Sequence, residues 1–384
     1  MKVVIVGGGI AGVSTAAALR AGGFDGDLTL VDAGELPYDR PPLSKDYLTG
    51  AKDLERIALQ PPQWYDEHAI RLINRTRVTA LRSGGVELRD GTLLPADRVV
   101  LATGGAAARP PIPGCEHVHV LRTAEDADRL RAALRPGARV LVVGAGLIGA
   151  EVASSAVDLG CEVVLADPVA TPLAAAVGGE LAGWLHEQHA TRGVTTVRSA
   201  VESFDGAGAT LAGARHAFDA VLLGVGMVPD TRLAETAGLK IDRGIAVDAG
   251  QVTSNPAILA VGDSARGRDG HWEAAQHDGA RAAATVLGAP LPPPTAPWFW
   301  TDRHGRHVEA AGHMAAAEQT VLRGSYDDPA FSVFGLRDGL VVAAAAVDDS
   351  GAVRAARRMI DRRIPADPGR LKDTSVNLRT LLRA

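Results

Sequence analysis

Val3-Val4-Ile5-Val6-Gly7-Gly8-Gly9-Ile10-Ala11-Gly12 decides the fold, because about 137 positions later the chain repeats it as Val140-Leu141-Val142-Val143-Gly144-Ala145-Gly146-Leu147-Ile148-Gly149. Each copy reads as a continuous apolar strand, suited to a parallel sheet covered on both faces, running into a glycine turn. Each turn leads into an alanine-rich stretch of helical character, Val13 to Ala21 and Ala150 to Leu159. A second strand follows each helix, Leu28 to Val31 ending in Asp32, and Val163 to Ala166 ending in Asp167. Both acids stand about 20 residues beyond their turns, where a carboxylate can accept hydrogen bonds from a ribose diol. The same βαβ unit therefore begins twice.

The chemistry such a turn performs follows from its backbone. A helix N-terminus with close-packed glycines offers N–H donors and a favourable dipole to a pyrophosphate, which bulky side chains would keep away. Gly7, Gly9 and Gly12 supply this in the first copy, and Gly144, Gly146 and Gly149 in the second. One glycine turn alone is a weak sign, since such turns serve structural ends as well. Two of them, each with its strand, helix and acid, point to two dinucleotides. Two dinucleotides imply two jobs, a prosthetic group at the N-terminal site and an exchangeable hydride source at the other. Asp167 is followed by Pro168-Val169-Ala170 with no arginine, which favours a free 2′-hydroxyl and hence NADH over NADPH.

Composition sets the limits. At 384 residues, 46% hydrophobic and 22% charged, the chain has room for two or three domains. A net charge of -5 supplies no basic footprint for nucleic acid. The only cysteines, Cys115 and Cys161, lack Cys-x-x-Cys spacing and read as two buried free thiols in a reducing compartment. The opening strand carries no secretory pattern, and the apolar run Leu340 to Val347 is far shorter than the roughly 18 to 20 residues of a membrane helix, so a cytoplasmic protein is expected. The proline-rich Leu291 to Pro297 reads as a linker to a further domain. In that domain, alternation around Phe331 to Leu336 and the run Leu340 to Val347 predict antiparallel strands, followed by a helix from about Gly351 to Arg363.

At Pro37-Tyr38-Asp39-Arg40-Pro41-Pro42-Leu43-Ser44-Lys45 the sequence resembles the flavin-side signature of the FAD-dependent ferredoxin reductases that serve Rieske oxygenases and bacterial haem monooxygenases, the putidaredoxin reductase type. Further similar stretches are Leu101-Ala102-Thr103-Gly104, Gly144 to Glu151, Gly224-Val225-Gly226-Met227-Val228-Pro229, Ala260-Val261-Gly262-Asp263, His271-Trp272-Glu273-Ala274-Ala275 and Pro297-Trp298-Phe299-Trp300-Thr301-Asp302. They span nearly the whole chain.

The resemblance implies an α/β, glutathione-reductase-like fold with two Rossmann-like domains. An FAD domain, residues 1–110 and 229–294, is interrupted by an NADH domain, 111–228, and an α+β C-terminal domain, 295–384, covers the flavin and shapes the partner's docking site. It also implies site roles. Gly7, Gly9, Gly12 and Asp32 would hold the adenosine half of FAD, with Ala102, Thr103 and Gly104 lining the same cofactor. Arg40 and Arg109 would help fix it, and Asp263 would hydrogen-bond its ribityl chain. Lys45 would lie close to the flavin ring, with Glu151 as charge partner near the nicotinamide pocket, and Gly226 and Trp272 would belong to the cofactor sites. Trp300 would stand on the flavin side where an iron–sulfur partner arrives.

Several of these residues have a second reading. Lys45 is either a solvated loop charge or a cation that stabilises charge developing on a reduced flavin. Glu151 is either that lysine's partner or an acid favoured by the helix dipole alone. Trp298 and Trp300 are either core or flavin-side aromatics, and His271-Trp272 acts through backbone position at a helix start. The segment after Asp32 is one residue short, which leaves Asp32 or Glu35 as the ribose acid. The family's Ser-Asp-Gln-Tyr-like stretch reads here Thr301-Asp302-Arg303-His304, an altered partner surface on this reading, and Asp230 stands where asparagine is common.

Disulfide-reducing relatives carry a cysteine pair in the first helix, or a thiol elsewhere near the ring. Their absence here argues for a metal-centre acceptor. From Gly351 to Ala384 nine basic residues face three acidic ones, a local excess able to steer an acidic ferredoxin toward Arg354, Arg357 and Arg358, or else a solvated helix face. The activity implied is NADH-dependent reduction of a small iron–sulfur protein. An NADH oxidase, a rubredoxin or nitrite reductase component, and an NADH-sensing flavoprotein share the nucleotide motifs.

Overall fold

Val3, Val4, Ile5 and Val6 are all buried, so the strand Lys2–Val6 can exist only with neighbours along both edges and cover on both faces. The computed structural model, which describes residues 1–265 and 271–383, supplies them. Parallel strands Asp27–Val31 and Arg98–Leu101 flank it, and Ile70–Ile73 and Ile258–Ala260 complete a five-stranded parallel sheet. The chain leaves the central strand toward Asp27–Val31 and Ile70–Ile73, then returns to its other side at Arg98–Leu101. The strand order thus reverses between Lys2–Val6 and Arg98–Leu101, and the carboxyl ends at such a reversal are where open α/β sheets bind ligands. Helices Ile10–Ala21 and Trp272–Leu287 pack closely because Gly279 has no side chain: a Cβ there would lie 2.8 Å from both the Ala11 carbonyl oxygen and the Thr15 nitrogen. This sheet and its helices belong to one compact unit, made of Met1–Leu43, Gly50–Ala106 and Met227–Pro293.

A second compact unit comprises Ser44–Thr49, Ala107–Gly226 and Pro294–Ala384, of which residue 384 lies outside the described residues. It repeats the first arrangement in a parallel sheet ordered Thr195–Val197, Glu162–Ala166, Arg139–Val143, Ala220–Leu223, His119–Val120. The reversal falls between Arg139–Val143 and Ala220–Leu223, the same relative place. The unit also holds a five-stranded antiparallel sheet ordered Trp298–Arg303, Arg306–Gly312, Leu340–Val347, Phe331–Arg337, Gln319–Arg323. Helix Ser350–Arg362 lies on one face of it through Ala352, Ala356 and Met359. On the other face Val177, Leu181 and Leu185 pack against Val308, Phe331 and Ala345 in one buried cluster.

Local structure follows the sequence pattern with small shifts. Both glycine-turn helices start three residues earlier than their alanine-rich stretches, at Ile10 and Leu147, because Gly9 and Gly146 take extended backbone angles as N-caps and the helix begins directly after them. The antiparallel strands Phe331–Arg337 and Leu340–Val347 and the helix Ser350–Arg362 lie where the periodicity puts them. Cys161 is buried, but Cys115 is only half-buried in a 3-10 turn, which corrects the expectation of two buried thiols; both are free. Among the described residues no helix is long and apolar enough to cross a membrane.

Phe334 is fully buried in the cluster that joins the antiparallel sheet to the helix Ser350–Arg362. Phe334→Ala should destabilise the protein by about 3–5 kcal/mol, read as a lowered midpoint of chemical unfolding.

Candidate active site

At the first turn the backbone itself makes the cradle. Gly7 adopts φ +113° directly beside the Ala102 carbonyl, with which a Cβ at position 7 would collide. Gly12 lies so close to the Gly7 carbonyl that no side chain fits between helix and turn. Gly9 faces outward instead: a Cβ there would meet only the Arg40 guanidinium, at 3.9 Å. The Gly8 N–H donates to Asp32 Oδ1 at 3.0 Å, and among the described residues Asp32 Oδ2 accepts no hydrogen bond. Glu35, the other candidate acid, is paired on an exposed loop with Arg75. The strand-end residues Ala102, Thr103 and Gly104 line the reversal point, where Thr103 Oγ1 donates to the Asp230 carbonyl at 2.8 Å and the Asp230 N–H to the Gly104 carbonyl at 2.9 Å. Arg232 in turn clamps the Asp230 carboxylate at 2.6 Å and holds it below the usual carboxylate range. Asp263 follows Gly262 in the turn after Ile258–Ala260, and Trp272 Nε1 donates to Asp39 Oδ1 at 2.7 Å.

The second turn has the same construction. Gly144 takes φ +97° against Gly224, Gly149 abuts the Gly144 carbonyl, and Gly146 has open space with nothing within 4 Å of a Cβ. The Ala145 N–H donates to Asp167 Oδ2 at 2.8 Å and the Val169 N–H to Oδ1 at 2.8 Å. Gly226, at φ +108°, accepts the Ala108 N–H. Arg109 points its guanidinium at the carbonyls of Cys115 and Val118. At both turns the helix N-cap has no side-chain hydrogen bond, so the first-turn N–H groups are left for a ligand. Two glycines that touch backbone, one that faces open space and an acid on the next strand fit a dinucleotide pyrophosphate and its ribose at each site.

In the second unit Lys45, Glu151 and Trp300 come together, as the resemblance implies. Lys45 Nζ lies 2.9 Å from Asp302 Oδ2, 3.5 Å from Glu151 Oε1 and 5.6 Å from the centre of the Trp300 ring. Lys45 is therefore not a solvated loop charge. Glu151 is buried, and its desolvation is offset by three donors besides the lysine: Ser44 Oγ at 2.5 Å, Thr301 Oγ1 at 2.8 Å and the Asp302 N–H at 3.3 Å. The helix Leu147–Asp158 anchors the Lys45 segment a second time, where Ser155 Oγ donates to the Ser44 carbonyl at 2.7 Å. Trp300 stacks on Trp298 with ring centres 5.0 Å apart, and the Arg357 guanidinium lies over the Trp298 ring at 5.8 Å.

The strand partner of Trp298–Arg303 adds groups that no motif announced. His307 Nδ1 lies 2.5 Å from Asp302 Oδ1 and its Nε2 lies 3.1 Å from Glu309 Oε1, while Trp298 Nε1 donates to Glu309 Oε2 at 2.8 Å. Burial, the largest single contribution, pulls the His307 ring downward, but Asp302 and Glu309 together outweigh it and raise the ring above its usual value. Burial pushes Asp302 upward, but His307 and Lys45 outweigh it and leave its carboxyl below the usual range. A sequence signal did exist: Asp302 faces His307 and Trp300 faces Glu309 across the hairpin, so period 2 puts all four on one face.

Arg303 and His304 correct the expectation of an altered partner surface, because both are buried. Arg303 Nε and Nη2 have no hydrogen-bond partner among the described residues. Burial lowers the guanidinium to about 10, partly opposed by the negative charge of Glu151. His304 instead turns inward to His189, with Nε2 and Nδ1 2.8 Å apart.

Known proteins share this construction. Residues 1–279 match the pyridine nucleotide-disulphide oxidoreductase model and residues 298–382 the reductase C-terminal model. The chain belongs to the pyridine nucleotide-disulphide oxidoreductase family and carries that C-terminal domain. It is 40% identical over 401 residues to the anthranilate 1,2-dioxygenase system ferredoxin–NAD(+) reductase component of Burkholderia cepacia, covering 99% of this chain and 98% of the relative. To putidaredoxin reductase of Pseudomonas putida it is 35% identical over 409 residues, covering 100% and 97%. Among solved structures, the covalent putidaredoxin reductase–putidaredoxin complex matches with a TM-score of 0.93 at 33% identity, covering 100% and 98% of the two chains.

The buried histidine pair yields a pH prediction. Burial, with Arg303 next in effect, pushes His189 down to about 3 and His304 to about 4. Both folded values lie below the ordinary 6.5, so the unfolded chain binds these protons first. Their contribution to stability is complete above about pH 6.5 and is lost as pH falls toward 4. Urea unfolding midpoints between pH 7 and 4.5 should fall more steeply for the native chain than for a His189→Gln, His304→Asn variant.

Proposed function

We propose that this chain is an FAD-dependent NADH:ferredoxin oxidoreductase, which passes electrons singly to a small iron–sulfur protein that feeds an oxygenase. The observation that carries the reading is the pair of glycine cradles, each at the strand-order reversal of its own parallel sheet. When bound, the two dinucleotides supply the redox chemistry, a hydride from NADH and its division into single electrons through FAD. The division of labour along the chain is residues 1–110 and 229–294 for FAD, 111–228 for NADH and 295–384 for the partner side.

The protein's share is binding and electrostatics. Gly7, Gly9, Gly12 and Asp32 hold one dinucleotide through backbone N–H groups and a carboxylate, with Arg40, Ala102, Thr103, Gly104, Arg109, Asp263 and Trp272 completing its surroundings. Gly144, Gly146, Gly149, Asp167 and Gly226 serve the other, and Asp167 selects the free ribose 2′-hydroxyl of NADH. Lys45, held between two carboxylates and over Trp300, presents a fixed positive charge where negative charge develops, and Glu151 keeps it there. With no cysteine in the helix Ile10–Ala21, a disulfide acceptor has no thiol to meet at that helix. The relatives named above are reductases of ferredoxins and of putidaredoxin, the same class of acceptor. Arg354 and Arg358 are exposed on the helix Ser350–Arg362, and with Arg357 they form the docking side for an acidic ferredoxin. The two free cysteines suit a reducing, cytoplasmic setting.

The deciding experiment is turnover with purified, FAD-loaded protein. NADH should be oxidised slowly in air, with rapid cytochrome c reduction only once a ferredoxin is added, and fast ferredoxin-independent oxygen consumption would overturn the assignment. Gly146→Val should leave the fold and bound FAD intact, since its Cβ meets nothing, yet raise KM for NADH about tenfold or more by filling the cradle. Arg354→Ala with Arg358→Ala should raise KM for ferredoxin and weaken its salt dependence while leaving NADH oxidation with ferricyanide unchanged.

A further inference from the structure

Proton stoichiometry exposes a task that none of the roles above performs. NADH and two oxidised iron–sulfur acceptors yield NAD⁺, two reduced acceptors and one H⁺. Single-electron acceptors carry no proton away, so the protein releases one for each NADH consumed. Lys45 has two carboxylate neighbours through which a proton could leave. Glu151 is a closed end: it is buried, and Ser44, Thr301 and the Asp302 N–H occupy its oxygens. Asp302 is an open one, because its Oδ2 faces Lys45 at 2.9 Å and its Oδ1 faces His307 at 2.5 Å.

We propose that Asp302 and His307 form the exit for this proton, taking it from Lys45 Nζ and delivering it to water at the His307 ring. The inference rests on the reductase reading in taking Lys45 as the group beside the reacting centre. One proton enters at Lys45 and one leaves at His307, so each group returns to its starting state and no other reactant is consumed. The His307 side chain is 40% exposed, enough for exchange with solvent, whereas that of Glu309 is 8% exposed. Glu309 therefore orients the ring at Nε2 rather than opening it, and Trp298 Nε1 fixes Glu309.

The charged groups facing His307 all favour a ring that gains and loses its proton near neutral pH. Asp302 and Glu309 face it along the hairpin. Asp348, after the strand Leu340–Val347, accepts the His307 backbone N–H at 2.9 Å and is paired with Arg306 at 3.0 Å, which limits its pull on the ring. The resulting affinity lies above the ordinary histidine value, matched to proton transfer at neutral pH. Below it the ring stays charged and the exit is blocked, so acceptor reduction should rise with pH through that value.

The test uses FAD-loaded full-length protein, NADH, and ferricyanide as a proton-free one-electron acceptor, with a pH-indicator dye in stopped flow. The native protein should release one proton per NADH in step with flavin reoxidation. In His307→Gln, proton release should slow by about a hundredfold, the rising limb of the pH profile should vanish, and added imidazole should restore the rate. Independently of turnover, the short Asp302–His307 contact should give a low-field proton resonance that Asp302→Asn and His307→Gln both remove. Native-rate proton release and an unchanged pH limb in a folded His307→Gln protein overturn the exit, as does a slowed variant that imidazole fails to restore. Failure of the native protein to oxidise NADH with any acceptor sinks the reductase reading, and this inference with it.

Discussion

Contact between a helix and its own turn, with no side chain between them, governs the structure. Gly12 against the Gly7 carbonyl and Gly149 against the Gly144 carbonyl leave no room for even one carbon atom. Each helix is thereby drawn onto the carboxyl end of its strand, with its unpaired N–H groups at the point where strand order reverses. Had either glycine carried a methyl group, helix and turn would have to separate, and the donors would move off the crevice. The outward glycines Gly9 and Gly146 complete the device by leaving space rather than removing contact.

In the second unit the corresponding constraint is electrostatic. Glu151 is buried in the helix that begins at the second turn, and an isolated carboxylate there would be costly. Ser44, Thr301 and the Asp302 N–H reach it from two segments remote in sequence, so satisfying one carboxylate ties the Lys45 segment and the edge strand Trp298–Arg303 to the helix. Arg303 fits the same scheme. Its Nε and Nη2 forgo hydrogen bonds at about 1–3 kcal/mol each, and the negative charge of Glu151 partly compensates the buried guanidinium. One acid thus organises both Lys45 and a buried arginine.

How much of this is legible in the sequence depends on whether the signal is local. The two turns, their helices and the acids Asp32 and Asp167 lie within single βαβ units, and period and spacing reveal them. Lys45 and Glu151 are 106 positions apart, and resemblance rather than spacing brings them together. Ser44 and Thr301 carry no signal, since a serine or threonine that donates to a buried acid has no pattern until the fold supplies the acid. Arg303 and His304 read as surface because charge and polarity ordinarily mark exposure, whereas tertiary packing here turns both inward. Asp230, opaque in the sequence, pins the Thr103–Gly104 loop through its backbone while Arg232 holds its side chain.

Hairpin register links this edge strand to its chemistry. His304 and Gly305 both take positive φ, +52° and +73°, the backbone of a tight turn that matches the twist of the strands it joins. That turn sets Asp302 opposite His307 and Trp300 opposite Glu309. A slip of one residue would send every one of these side chains to the other face, separating Lys45 from the imidazole and the paired tryptophans from their acid. Gly305, where an added Cβ would meet nothing, therefore controls the site as firmly as the residues that line it: the turn fixes the register, the register fixes the row of charges, and the row leads from a held lysine to an exposed ring.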